Sequence, residues 1–441
     1  MISTYPTASK RIQLMLHILC LLFWTAICFT PPTDEYGKGI IGGGVTHPFY
    51  IIKILGVIAP IGLTILYAIT SASFRKTIIN TLYVQRHVYY YVVFSAVALI
   101  WAYFPTVSAG KLIIFSLSLI ALTMLISMYF HFMHIAAYRS IIRHTTIAFL
   151  LFTAFFFFNY LIGLTQGLGV DAMREAVASH FVHPNIAAAT AIFGSVFLFF
   201  IVTASSRIPP LTQWVIIGVS CMITCAVIMG LNSRGGLAAA LIAVGITFIL
   251  RAPLAGFATA IIGASTIILF IGFSQNIVMS LLGKMSRSGD ISEIFTLTNR
   301  SIIWDTMFSD YSLKDFLIGH GYAAVSSKFG VEISSNGYDY VFTFGAHNMF
   351  FQVLLGTGLI GLIVFLIVLL RIAHYGFRRH LSTLARIRRH VPVIIPLIYV
   401  LIQGLLEHLF GLNLSPAFAV LLMVFTAGIM DDAYYNPITR Q

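Results

Sequence analysis

The chain has 441 residues, of which 59% are hydrophobic and 9% charged, and its formal net charge is +12. Soluble globular proteins carry about 25% charged residues, so this composition excludes a soluble enzyme and points to a polytopic membrane protein. The positive excess would suggest nucleic acid in a soluble domain, but here its distribution along the topology accounts for it.

Apolar runs long enough to cross a hydrocarbon core, about 20 residues each, fall at roughly 12–30, 49–70, 88–105, 112–130, 146–166, 186–204, 211–230, 236–250, 254–275, 349–370, 391–410 and 415–430. With no water to satisfy the backbone, such runs must be helices. The expected fold is therefore an all-α bundle of about twelve transmembrane helices. The first run follows Lys10 and Arg11, is longer than a signal-peptide core and is not followed by a small-x-small cleavage site, so it is expected to stay as helix one. Cys20, Cys28, Cys221 and Cys225 all lie inside expected spans and read as packing residues, not as a disulfide framework or a metal site.

Charge sets the orientation. With a cytoplasmic N-terminus, 16 of the 26 basic residues fall on inside segments, many of them in the arginine-rich connection 371–390, while 12 of the 14 acids fall outside, all but Asp431 and Asp432. The positive-inside rule then puts both termini in the cytoplasm. The chain divides into helices one to nine (1–275), one large outer loop (276–346), and helices ten to twelve (347–441).

Structureless loops beyond about 15 residues are uncommon unless they are functional. Within the large loop, "TNRSIIWDTMFSDY" reads as an amphipathic helix, since Ile303, Trp304, Met307 and Phe308 share one face. Thr298 or Asn299 would cap it. The loop is expected to lie along the outer surface as a lid or platform carrying short amphipathic helices.

Several basic groups converge on that outer side. In "LNSRGGLAAAL" a tight outer turn separates two spans, and Asn232 or Ser233 caps the second. Arg234 then occupies the first turn, where the helix dipole disfavours a cation by about 0.3–1 kcal/mol. An arginine beside free helix N–H groups is a good receiver for phosphate oxygens; the other reading is an interfacial arginine reaching to headgroups. Arg300 begins the loop helix and is either a second phosphate ligand or a solvated surface residue. Arg174, in "GVDAMREAVASHFVHPN", is a third, with Asp171 and Glu175 as alternative partners. His180, His183 and Asn185 end that segment, and Pro184 starts the next helix.

The fourth group is His347 with Asn348, at the N-terminal edge of the long apolar run Met349 to Leu370. The helix dipole and neighbouring arginines would keep the ring neutral, and a neutral imidazole can serve as a base. A histidine that merely caps the helix is the alternative.

The pattern His347, Asn348, nine residues, Gly358, two residues, Gly361 resembles the signature of O-antigen ligases and the related Wzy-type polysaccharide polymerases. "SRGG" at 233–236, "NRSIIW" at 299–304 and "GHGY" at 319–322, which brings in His320, follow in the order that family shows. The resemblance implies a metal-independent, inverting glycosyltransferase of the GT-C type in the bacterial inner membrane. It would pass a glycan from undecaprenyl diphosphate to an acceptor sugar hydroxyl on a glycolipid or lipid-linked saccharide, at the periplasmic face and with no cofactor. It also implies that Arg234 and Arg300, with Arg174 beside them, hold the lipid diphosphate, that His347 serves the acceptor, and that Asn348, Ser233, His320 and His183 support the site. Ligases often show leucine four residues after the turn arginine, where this chain has Ala238 with Leu237 before it.

The residues agree with that chemistry. A leaving diphosphate develops negative charge, each charged hydrogen bond contributes roughly 1.5–3 kcal/mol, and arginines can do this without a metal ion. No Asp-x-Asp pair occurs in an outer loop. Two further classes compete. A transporter or flippase of lipid-linked oligosaccharide would need ionisable groups near the bilayer midplane, whereas Lys53 and Glu407 lie toward the outer ends of their spans. An intramembrane serine protease would need a Gly-x-Ser elbow beside a histidine, which is missing. Between ligase and polymerase the donor site is shared, and the acceptor surface decides.

Overall fold

The computed structural model describes residues 9–28, 48–166, 184–203, 205, 208–230, 236, 239–243, 245, 304, 305, 307–309, 311–323, 330–335, 338–343, 346–382, 393–407, 409, 410 and 414–435. Its helices are α1 (Lys10–Cys28), α2 (Pro48–Thr70), α3 (Ala72–Val97), α4 (Pro105–Met133), α5 (Ala137–Thr165), α6 (Pro184–Thr203) and α7 (Pro210–Gly230), then α8 (Leu313–Ile318), α9 (Met349–Ser382), α10 (Ile394–Leu406) and α11 (Pro416–Tyr435). Seven of them are long and apolar enough to cross a membrane. The architecture is that of an all-α multi-pass membrane protein. Each expected span outside 236–275 falls on one of these helices; the two spans expected there lie largely outside the described residues.

The helix α11 forms the middle of the bundle. Ala417 to Phe425 are buried without a break, and α11 packs on α3, α4, α5, α6 and α10. Most of its residues are buried, whereas α2 and α7 are more apolar and mostly exposed. The inversion has a physical cause, because a helix facing lipid must be apolar all round while an interior helix can pair polar groups with its neighbours.

The same cause contributes to the largest boundary difference. The expected span 88–105 is in fact the far half of α3, which starts at Ala72 where the Ser71 hydroxyl accepts the Phe74 N–H at 3.2 Å. Of the polar residues that lower the hydropathy of its first half, Arg75, Lys76 and Asn80 are exposed, whereas Thr81 and Gln85 face inward and are paired. Thr123 donates to Gln85 Oε1 (2.5 Å), Gln85 Nε2 donates to Thr426 (3.0 Å), and Ser127 donates to Thr81 (3.0 Å). At the opposite end of the bundle from His347, Arg371 meets His87 and the Tyr375 hydroxyl donates to Asp432 at 2.7 Å.

The cysteines divide by face. Cys20 and Cys28 are buried in the bundle, as packing residues should be, but Cys221 and Cys225 are exposed on α7 and point away from it. The large loop adds one element that the periodicity did not foretell. Gly330–Ser335 (β1) and Tyr338–Thr343 (β2) form an antiparallel hairpin, registered from Gly330 opposite Thr343 to Ser335 opposite Tyr338.

Candidate functional site

The site is built where the large loop meets α9. Gly358 has φ +69° and interrupts α9, so residues 349–357 form a half-helix ahead of the long remainder. A break of this kind frees backbone carbonyls that must find donors in an apolar setting. The loop supplies them: His320 N donates to Leu355 O (2.9 Å) and Gly321 N to Gly356 O (2.8 Å). This backbone-on-backbone contact leaves no room for side chains. A Cβ at Gly358 would sit 2.3 Å from Leu317 O, and one at Gly319 would sit 2.5 Å from Gly356 O. Three separate sequence signals, the "GHGY" piece, the glycine spacing after His347 and the loop's amphipathic run, thus belong to one joint.

Around the joint the loop is bonded from both sides. Ser312 and Asp315 make a reciprocal capping box on α8. From the turn between α3 and α4, Trp101 Nε1 donates to Ile318 O (2.9 Å) and Tyr103 N donates to His320 O (2.8 Å). His320 is buried, with Nδ1 3.3 Å from Asp315 Oδ1. Tyr311 donates its hydroxyl to Leu354 O at 3.1 Å, and burial together with the Asp315 carboxylate pushes its phenol well above the ordinary range. Tyr311 therefore remains a donor at all physiological pH. Tyr311→Phe should cost about 1 kcal/mol of docking, read as faster hydrogen exchange at residues 313–321 with the transmembrane helices unchanged.

Of the expected buried face, Trp304, Met307 and Phe308 are described, and Ile303 lies outside the described residues. Met307 is buried against Ala346 and Leu355, with Phe308 and Phe351 packed beside them. Trp304 and Phe308 each set an edge against Phe351 at 5.1 and 5.2 Å, while Asp305 points outward. Trp304 Nε1 donates to Ala346 O (2.7 Å), and Gln352 Oε1 accepts the Ala346 N–H (3.0 Å). The residue before His347 is thereby pinned through both its backbone groups.

His347 itself adopts φ +46°. A non-glycine residue in that region costs of order 1–3 kcal/mol and is held only where its surroundings over-determine it. Asn348 caps the half-helix: its Oδ1 accepts the N–H groups of Phe350 (2.9 Å) and Phe351 (3.1 Å). Its Nδ2 reaches across to Leu405 O at the end of α10 (3.2 Å). That last bond ties the motif to the residue the sequence reading left out. Glu407 follows α10 directly and places Oε2 3.5 Å from His347 Nδ1. The imidazole therefore faces a carboxylate on the described side.

The supporting residues Asn348 and His320 are both in this assembly, Asn348 as the cap beside His347 and His320 at the far end of the half-helix. Arg174, His183, Ser233, Arg234 and Arg300 lie outside the described residues, as do Thr298, Asn299 and the segment 167–183. Among the described residues no three His, Cys, Asp or Glu side chains gather as a metal-holding group.

Residues 219–366, from the second half of α7 through the glycines of α9, match the family model described as O-Antigen ligase. Over that stretch the chain is similar to the O-antigen ligase family. No curated protein matches the chain. The matched stretch includes His347, Asn348, His320, Arg234, Ser233 and Arg300, and it stops before Glu407. Its family role is cell-surface polysaccharide synthesis of the ligase or polymerase type on lipid-linked glycans. The half-helix with its docked loop is the described core of that stretch.

Proposed function

We propose that this chain is an inverting, metal-independent glycosyltransferase of the O-antigen ligase type. It moves a glycan from undecaprenyl diphosphate to a sugar hydroxyl of a glycolipid at the periplasmic face of the inner membrane, and both its termini are cytoplasmic. The observation that carries the reading is His347 beside Glu407 at the head of a capped half-helix inside the stretch similar to the O-antigen ligase family.

In this reading the acceptor hydroxyl gives its proton to His347 Nε2 as its oxygen bonds to the anomeric carbon. The bond from that carbon to the diphosphate oxygen breaks, and its electron pair leaves with the lipid diphosphate. Glu407 holds the ring by Nδ1–H and balances the imidazolium that forms, the role a buried carboxylate plays behind a catalytic histidine. Arg234, Arg300 and Arg174 receive the phosphate oxygens, a task the planar guanidinium performs in pairs of hydrogen bonds. Arg234→Lys should therefore lose most transfer although the charge is kept. The assay is product formation by mass spectrometry in proteoliposomes, with membrane insertion checked by gel.

Deleting the gene and separating the cell's glycolipids on a gel tests the whole assignment. A ligase leaves uncapped lipopolysaccharide and accumulates undecaprenyl-linked polymer. A single repeat on the core, or loss of exopolysaccharide, would indicate a polymerase instead.

A further inference from the structure

A recess opens at the same end of the bundle as His347, between the turn after α3 and the loop helix α8. It has a volume of about 340 Å³ and is lined by Trp101, Ala102, Tyr103, Lys314, Asp315, Gly319 and His320. Hydrogen bonds fix its walls. The bonds from Trp101 Nε1 to Ile318 O and from Tyr103 N to His320 O leave both rings attached to rigid backbone while the Tyr103 side chain stays 62% exposed. A recess of this size is within the range of sites for small ligands.

The lining selects the ligand. Tyr103 and Trp101 offer aromatic faces, on which the C–H face of a pyranose can lie, and Asp315, His320 and Lys314 offer acceptors and donors for hydroxyls. Lys314 is balanced by the adjacent Asp315, so the recess has no excess of positive charge. That balance disfavours a phosphate or diphosphate and suits an uncharged, hydroxyl-rich group.

The rim says where the ligand comes from. Leu313, Phe316 and Leu317 of α8 are 75%, 38% and 42% exposed, and Ile100 and Phe104 of the facing turn are 83% and 37% exposed. Apolar and aromatic side chains in such a band at a bundle end sit at a membrane interface. Such a setting suits a saccharide carried on a lipid.

A row of rings, Trp304, Phe351, Phe308, Tyr311 and His320, runs along the half-helix with centroids 5.1, 5.2, 5.4 and 5.4 Å apart, and Trp304 ends it on the carbonyl beside His347. We infer that this recess binds the sugars of the membrane-anchored acceptor, with Tyr103 as the stacking platform. The inference rests on the glycan-transfer reading for the identity of the acceptor, but the binding itself does not require transfer.

The test uses the full chain in nanodiscs of phosphatidylethanolamine and phosphatidylglycerol, with saturation-transfer NMR. Two soluble probes are offered, the delipidated lipopolysaccharide core oligosaccharide and a repeat-unit oligosaccharide. One of them should bind the wild type, Tyr103→Ala should weaken it by about tenfold, and Tyr103→Phe, which keeps the ring, should retain the signal. Core binding identifies a ligase acceptor and repeat-unit binding a polymerase acceptor. Binding of neither probe, or equal binding by wild type and Tyr103→Ala, overturns the inference. Lys314→Ala, at an exposed position, gives a second reading should Tyr103→Ala fail to insert. If binding behaves as expected while the wild type transfers nothing, the recess stands and the transferase reading falls.

Discussion

His347→Ala should lower glycan transfer by about 10²–10⁴-fold, the contribution of a positioned general base, while the protein still inserts and folds. The ring's own packing contributes little to the fold, because it is partly exposed and the neighbouring structure is fixed by other residues. Asn348 caps the half-helix, Gln352 and Trp304 hold Ala346, and Leu405 receives Asn348 Nδ2. Glu407→Gln tests the partner. It keeps a side chain of the same shape but removes the charge that favours the imidazolium, and should cost transfer about 10²-fold, through kcat and not through the donor's KM. Normal activity of Glu407→Gln alongside an inactive His347→Ala would leave histidine as the base and discard the carboxylate's role.

Gly358→Ala should uncouple the large loop from the bundle. Alanine at φ +69° carries an intrinsic cost of about 1–2 kcal/mol, and its Cβ would lie 2.3 Å from Leu317 O and 2.5 Å from Ile318 N. Backbone atoms on both sides cannot yield without breaking the bonds from His320 N to Leu355 O and Gly321 N to Gly356 O, each contributing about 1 kcal/mol. The expected total is roughly 3 kcal/mol or more of local stability. Hydrogen exchange at His320 and Gly321 should accelerate to the level of an unprotected loop, and transfer should fall because α8 and Trp304 lose their seat. Gly62→Ala on α2, where a Cβ meets nothing within 4 Å, is the matched control and should leave both measurements unchanged.

Much of this organisation is legible in the chain. The spans could be read because lipid demands apolar helices, and hydropathy reports that demand directly. The reading slipped on α3, whose first half carries the exposed Arg75, Lys76 and Asn80 as well as Thr81 and Gln85, which are paired inside the bundle. The motif around His347 was visible from the spacing of its glycines, and the buried face holding Met307 from its three-and-four period. Glu407 was visible only as a charge at the end of a span. It lies 60 positions from His347, and a pairing over that separation leaves no trace in periodicity, composition or local motif. The hairpin had a signal that went unused, since Asn336-Gly337 between two alternating segments is the strongest short hairpin cue. The recess beside Tyr103 had none, because it arises only when the turn after α3 and the loop helix α8 are brought together.

The account rests on group transfer at the face that bears His347. The most direct measurement reconstitutes the full chain in sealed vesicles with undecaprenyl diphosphate-linked glycan and a glycolipid acceptor, with chelator present, and follows all lipid species by mass spectrometry. The predicted result is a heavier glycolipid together with free undecaprenyl diphosphate in equal amount, lost in His347→Ala. Donor that keeps its mass and merely appears on the opposite leaflet would contradict the account and make the protein a flippase.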